Sequence, residues 1–360
     1  MSLENPPILD GHNDTLTKIH GTGPDARSFL ERADRGHIDL PRAREGGLGG
    51  GFFAIFASSP DYERSLAPLV NGDGQDVEGG WAIPLPPPLP HEAALEYTRA
   101  IVADLEAIVE ASDGAVRIVR TPLEALRCLQ RKILAVILHI EGAEAIAPDL
   151  SNLDEFYELG LRSLGPVWSR PNAFAHGVPF DFPRGPDTGP GLTDAGRALI
   201  RRCNDLGILV DLSHLNEKGF WDVSRISTAP LVATHSAVHK LCPSPRNLTD
   251  EQLDVIGLSR GIVGINFHVG FLRSDGRTDT DTPLSEIVKH ARYVADRIGV
   301  EHVGLGSDFD GATMPGELVD AAHLPALIDA FRAAGFAEDE IEAIAHLNWL
   351  RVLRESWRGE

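Results

Sequence analysis

A single (β/α)8 barrel of the TIM type, formed by residues 1–360, is the fold class this sequence predicts, and three observations carry it. Eight short apolar runs lie near residues 8, 52, 136, 165, 210, 232, 264 and 304, most of them followed by a stretch of helical spacing. The polar residues that stand out lie where those runs end, the end at which such barrels build their sites. The first and eighth runs both end in carboxylates, which only barrel closure brings side by side; a doubly wound open sheet, the alternative arrangement, would keep them apart.

The clearest unit runs from Gly207 to Arg246. The runs ILVDLSH and PLVATHS each end in a histidine, His214 and His235, with one amphipathic segment of helical length between them. Two buried strands joined by a helical crossover are parallel neighbours. Adjacent strands lie about 4.7–4.9 Å apart, so two imidazoles at equivalent heights can reach one metal ion. A lone histidine at a strand end is more often a hydrogen-bonded structural residue; two at the same position shift the reading toward ligation.

In chain order, PPILDGHND opens the barrel and carries His12 and Asp14, two residues apart and so on one face of an extended strand. GLGGGFFAIFAS, residues 47–58, is barrel wall without an ionisable group. The stretch from Pro60 to Pro90, with PLPPPLP, reads as a long loop over a site. Helical spacing follows from His91 to Ser112 and again in TPLEALRCLQR, where Thr121 and Glu124 form a capping-box pattern. LAVILHIEGAEAI ends a third strand near Glu141, a carboxylate that needs a partner because an unpaired buried charge is costly. A metal ion supplies one; a salt bridge is the plainer alternative. RSLGPVWS is the fourth strand, and the loop from Arg170 to Gly191, with His176 and several aromatics, fits a substrate lid. Thr193 caps the next helix, and NLTDEQLDVIGL is another capped helix. GIVGINFHV ends with His268; a helix from Pro283 to Ile298 leads to HVGLGSDFDG with Asp308 and Asp310, and helices near 321–334 and 337–357 close the chain.

Composition narrows the function classes. With 33 Lys and Arg against 53 Asp and Glu the net charge is −20, which argues against nucleic acid or an anionic membrane as partner. No apolar run approaches the roughly 20 residues of a spanning helix, and MSLENPPILDG lacks the basic start and apolar core of a signal peptide, so a cytoplasmic protein is expected. The 3 cysteines, Cys128, Cys203 and Cys242, are widely spaced and read as buried thiols rather than a disulfide or zinc framework.

His12, Asp14, Glu141, His214 and His235 together can hold two divalent ions, with Glu141 bridging because its strand lies between the two ligand groups. Mixed nitrogen and oxygen ligation suits zinc, with manganese or iron as alternatives. Metal-activated water makes hydrolysis the implied chemistry.

The segments DGHND, HIEGAEAI, DLSH, THSAVHKLCPSPRN and GLGSDFDG, in this order, resemble the membrane (renal-type) dipeptidase family of binuclear zinc peptidases, which has soluble bacterial members. The resemblance spans about Leu9 to Leu353. It implies that His12 and Asp14 bind one zinc ion and His214 and His235 the other, with Glu141 shared, and that a metal-bridging hydroxide attacks the scissile carbonyl. It further implies that Arg246 grips the substrate, that Asp308 carries the proton to the leaving amine, and that the protein is a homodimer. Asp310 is left a supporting role. One place departs from the family: where many relatives carry a carbonyl-contacting histidine after the fourth strand, this chain has Trp168, and the nearest histidine is His176, which either makes that contact from the loop or only caps a turn. The expected substrates are dipeptides with a free C-terminal carboxylate, L-Xaa-L-Xaa and, as the family tolerates, L-Xaa-D-Xaa. Two other readings stay open: another binuclear-metal hydrolase of amides, lactones or N-acyl amino acids on the same barrel, and a non-catalytic metal-binding scaffold, which would need neither Arg246 nor Asp308.

Overall fold

The computed structural model describes residues 5–20, 27–58, 75–77 and 80–358. Eight strands form the barrel: β1 (Ile8–Asn13), β2 (Leu48–Phe56), β3 (Leu134–Glu141), β4 (Leu161–Gly165), β5 (Leu209–Val210), β6 (Val232–Ser236), β7 (Ile262–Asn266) and β8 (Val303–Gly306). All neighbours are parallel, and β1 pairs with both β2 and β8. The seam between β5 and β6 is narrow. It is carried by a bridge between Asp211 and Val232 and by the Leu212 N–H, which donates to the Val232 carbonyl at 2.9 Å.

The helices start where the sequence signals put them. Thr121 and Glu124 form a reciprocal capping box on Pro122–Arg131, Thr249 and Gln252 form another on Asp250–Leu258, and Thr193 caps Asp194–Leu206 through the Gly196 N–H. Each occupies a donor that the first helical turn leaves unpaired.

The described parts of the two long loops include regular structure. Gln75–Val77 and Gly80–Ile83 pair antiparallel, and the second of these pairs with Phe180–Phe182, so a small three-stranded sheet joins both loops. Trp81 stacks on Phe182 and donates its indole N–H to the Gly276 carbonyl at 2.9 Å. Residues 60–74 and 78–79 of the loop expected over the site lie outside the described residues.

Along β3, Val136, Leu138 and Ile140 pack outward on the helices, while Ala135 and Ile137 face the barrel axis in a separate cluster. The pleat therefore carries His139 and Glu141 inward as well, above that apolar floor. Trp349, from the C-terminal helix Asn348–Ser356, plugs the floor and donates to the Leu305 carbonyl at 3.1 Å. A Cβ at Gly304 would stand 2.6 Å from the Trp349 indole nitrogen. Gly304→Ala is therefore expected to destabilise the protein by about 1–3 kcal/mol through overpacking, read as a lowered denaturation midpoint.

Candidate metal centre

The chain brings the strand-end residues of the sequence analysis to one point. Glu141, the last residue of β3, lies between two groups: its Oε1 is 3.7 Å from His12 Nε2, 3.0 Å from His214 Nε2 and 3.4 Å from His235 Nε2. His12 Nε2 is also 3.4 Å from Asp14 Oδ2, and His214 and His235 bring their Nε2 atoms within 3.1 Å of each other. Two overlapping triads result, His12–Asp14–Glu141 and Glu141–His214–His235, every member buried. Asp308 joins a third grouping with His12 and His235.

Asp14 reaches the centre by a different route from the one expected. The strand ends at Asn13, and Asp14 heads the short helix Thr15–Ile19. Its N–H donates to the Phe309 carbonyl at 2.8 Å, which anchors it to the segment after β8. Asp308 and Asp310 both have left-handed backbone, with φ of 62° and 67°. They diverge: Asp308 turns to the centre and accepts from Asn266 Nδ2 at 2.8 Å, whereas Asp310 accepts from Thr15 Oγ1 at 2.8 Å, Arg27 Nη2 at 3.0 Å and the His37 N–H at 2.7 Å. Asp310 thus holds loops together behind the site. Gly311 completes the turn because any Cβ there would overlap Asp14 Oδ2.

Charge defines what the cluster can hold. Burial pushes the Glu141 and Asp14 carboxyls up, and Asp308 adds to this in both cases. Burial, reinforced by Arg246 and His12, pushes His214 and His235 well below the usual imidazole range, so both are neutral and offer a lone pair. Burial also opposes a proton on His12, yet the charges of Glu141, Asp14 and Asp308 outweigh it and hold its pKa at about 10. Among the described residues neither ring nitrogen of His12 makes a well-formed hydrogen bond, and Nε2 faces the carboxylates of Asp14 and Glu141. Three buried carboxylates and the neutral imidazoles of His214 and His235 make a cradle for cations, a bound cation would displace the proton that the carboxylates hold on His12, and the donor set fits divalent metal ions.

Arg246 is buried beside the centre, and burial brings its guanidinium down to about 10. It donates to the carbonyls of Ser213 and His235 and lies over Phe271, and its Nε has no partner among the described residues. Trp168 packs against His214 with ring centroids 5.7 Å apart, between Phe56 and Phe180. The segment with His176 runs past the same histidine, since the Val178 N–H donates to the His214 carbonyl at 2.9 Å. The His176 carbonyl accepts from the Asn216 N–H, and among the described residues no hydrogen bond or ring contact joins its imidazole to the cluster. His268, at the end of β7, packs on Phe271 and meets the Thr313 carbonyl rather than the cluster.

Behind the candidate ligands lies a polar layer that the sequence analysis missed. Ser169 Oγ meets His214 Nδ1 at 3.0 Å, Thr234 Oγ1 meets His235 Nδ1 at 2.9 Å, and His139 stands edge-on to His12 with Nε2 3.7 Å from Asp211 Oδ2. Polar residues one or three places from a strand-end histidine, as in DLSH and THS, are the signal that could have found Asp211 and Thr234.

A TIM barrel with buried histidines and carboxylates converging at its strand ends is a metal-dependent hydrolase by class. The chain belongs to the membrane dipeptidase family (peptidase family M19), which it matches over residues 2–358, and by family it is a metallo-dipeptidase. A crystal structure of a metallo peptidase from Rhodobacter sphaeroides, liganded with a phosphinate mimic of the dipeptide L-Ala-D-Ala, superposes with a TM-score of 0.93 at 46% identity, covering 98% of this chain and 100% of that one. A second, of the metallo peptidase dipeptidase AC, gives 0.91 at 47% identity over 98% and 99%. An uncharacterized protein in the pqqA 5′ region of Klebsiella pneumoniae is 49% identical over 257 residues, 71% of this chain and 95% of that one. No helix among the described residues is long and apolar enough to cross a membrane.

Proposed function

We propose that this chain is a two-zinc dipeptidase that cleaves L-Xaa-L-Xaa and L-Xaa-D-Xaa dipeptides carrying a free C-terminal carboxylate. The observation that carries this reading is the position of Glu141 Oε1, within 3.7 Å of the Nε2 atoms of His12, His214 and His235. Glu141 would be shared between two ions, with His12 and Asp14 holding one and His214 and His235 the other. When bound, the ions polarise the scissile carbonyl and lower the pKa of a bound water to about 7. The D-residue at the C-terminal side is supported by the dipeptide mimic in the Rhodobacter sphaeroides relative.

The protein side chains then have separable tasks. Arg246, buried beside the centre with no partner for its Nε among the described residues, grips the substrate. Asp308, held by Asn266 next to His12 and His235, takes the proton from the attacking water and gives it to the leaving amine. Trp168 walls the substrate space beside His214. The homodimer implied by the family resemblance is checked by sedimentation of the zinc-loaded protein.

Hydrolysis of matched L,L and L,D dipeptides, with N-acyl amino acids and lactones alongside, tests the reading. Turnover of dipeptides that chelation abolishes and zinc restores supports it; turnover of the acyl compounds or lactones alone overturns it. Arg246→Ala is expected to lower kcat/KM on dipeptides by roughly 10- to 100-fold, the worth of a charge-assisted hydrogen bond, and to affect carboxylate-free amides less. Steady-state kinetics on both substrate sets checks this.

A further inference from the structure

We infer that Asp211, acting through the hydroxyl of Thr234, dictates which nitrogen of His235 carries the proton and so keeps His235 Nε2 free to bind metal. The inference rests on the reading of His235 as a ligand. It follows from counting hydrogens along three residues at the barrel seam.

Asp211 is buried immediately after β5, where the barrel closes on β6. Its Oδ1 accepts from the Ser213 N–H at 3.1 Å, the Ser213 hydroxyl at 2.6 Å and the Thr234 N–H at 2.8 Å. Its Oδ2 accepts from Thr234 Oγ1 at 2.7 Å. A carboxylate only accepts, and a threonine hydroxyl has one hydrogen to give. That hydrogen is therefore spent on Asp211, because turning it away would set oxygen lone pairs face to face at 2.7 Å. What Thr234 Oγ1 presents to His235 Nδ1, 2.9 Å away, is a lone pair. Nδ1 must donate, and the neutral ring keeps its own lone pair on Nε2, aimed at Glu141 and His214.

Ser213 cannot take over this duty. Its hydroxyl hydrogen is on Asp211 Oδ1, and its oxygen accepts the His235 backbone N–H at 3.0 Å. Nor can Asp211 reach the imidazole directly, since Oδ2 is 3.9 Å from Nδ1. The relay needs both residues, and it places a carboxylate one hydroxyl behind the candidate ligand, an arrangement that orients the ring and raises its basicity.

Asp211→Asn inverts the relay. The amide oxygen stays where three donors converge, so the amide nitrogen takes the place of Oδ2 and donates to Thr234. The threonine hydroxyl then donates to His235 Nδ1 at 2.9 Å in preference to Ser213 Oγ at 3.3 Å, and the proton moves to Nε2, where it blocks metal. Thr234→Val removes the hydroxyl at nearly constant shape, and Thr234→Ser restores it.

Zinc affinity, by competition with a chromophoric chelator, the visible spectrum of the cobalt-loaded protein and the thermal midpoint are measured on wild type, these three variants and His235→Ala. Asp211→Asn and Thr234→Val are expected to bind one of two ions about 10- to 100-fold more weakly with an altered cobalt spectrum, and Thr234→Ser to match wild type. If Thr234→Val keeps wild-type affinity and spectrum, or if only its thermal midpoint falls, the relay is wrong while the metal reading stands. If His235→Ala also leaves zinc affinity unchanged, the metal reading fails and takes the inference with it. Should Asp211→Asn not fold, the valine and serine variants decide the matter.

Discussion

Asp308→Asn is expected to retain the fold and its metal ions while turnover falls about 10²–10⁴-fold, the range for loss of a positioned general acid–base. The backbone there is left-handed, with φ of 62°, and the Asp308 N–H donates to the His12 carbonyl at 2.9 Å. Asparagine tolerates that conformation. Its amide oxygen can still accept from Asn266 Nδ2, so the side chain keeps its place and loses only the capacity to take and release a proton. Metal analysis and steady-state kinetics on one preparation check the expectation. Unchanged turnover would remove Asp308 from the proton path.

Glu141→Gln is expected to strike earlier, at metal retention. The carboxylate oxygen shared by the two triads becomes an amide that offers one neutral oxygen at most, and Asp14 and Asp308 remain buried nearby without it. Removing one partner from a buried charge cluster costs about 3–5 kcal/mol, which corresponds to roughly 10²–10⁴-fold in metal affinity. Zinc stoichiometry after gel filtration should fall below that of the wild type, and the rise in thermal midpoint on adding zinc should shrink. A variant that holds zinc as tightly as the wild type would show that Glu141 is not shared between the ions.

The eight strands were legible because each is a short apolar run bounded by Gly, Pro or polar residues, and the candidate ligands were legible because they terminate those runs. His12, Glu141 and His235 stand at strand ends that the hydrophobic pattern alone locates, while His214 lies in a turn four residues past β5. Boundaries were less legible. Asp14 was assigned to the face of a strand and instead heads a helix, with the same reach; β5 is only 2 residues long because the chain leaves the ladder to turn toward His214. Contacts across the barrel were least legible, since inter-strand register is not written in any one run. Asp211 and Thr234 lie 23 positions apart and meet only because the seam between β5 and β6 puts them side by side. The same holds for Trp349, whose place in the barrel floor is set by space left at Gly304 rather than by a motif. Trp168 was flagged as a departure from the family, and its contact with His214 places that departure at the centre.

A zinc titration of the metal-depleted protein during hydrolysis of L-Ala-D-Ala tests the proposed catalytic pair of metal ions. No turnover is expected without metal, and activity should reach its plateau only as the second equivalent of zinc is bound. Turnover by the metal-free protein, or a plateau at one equivalent with no second ion taken up, would contradict it.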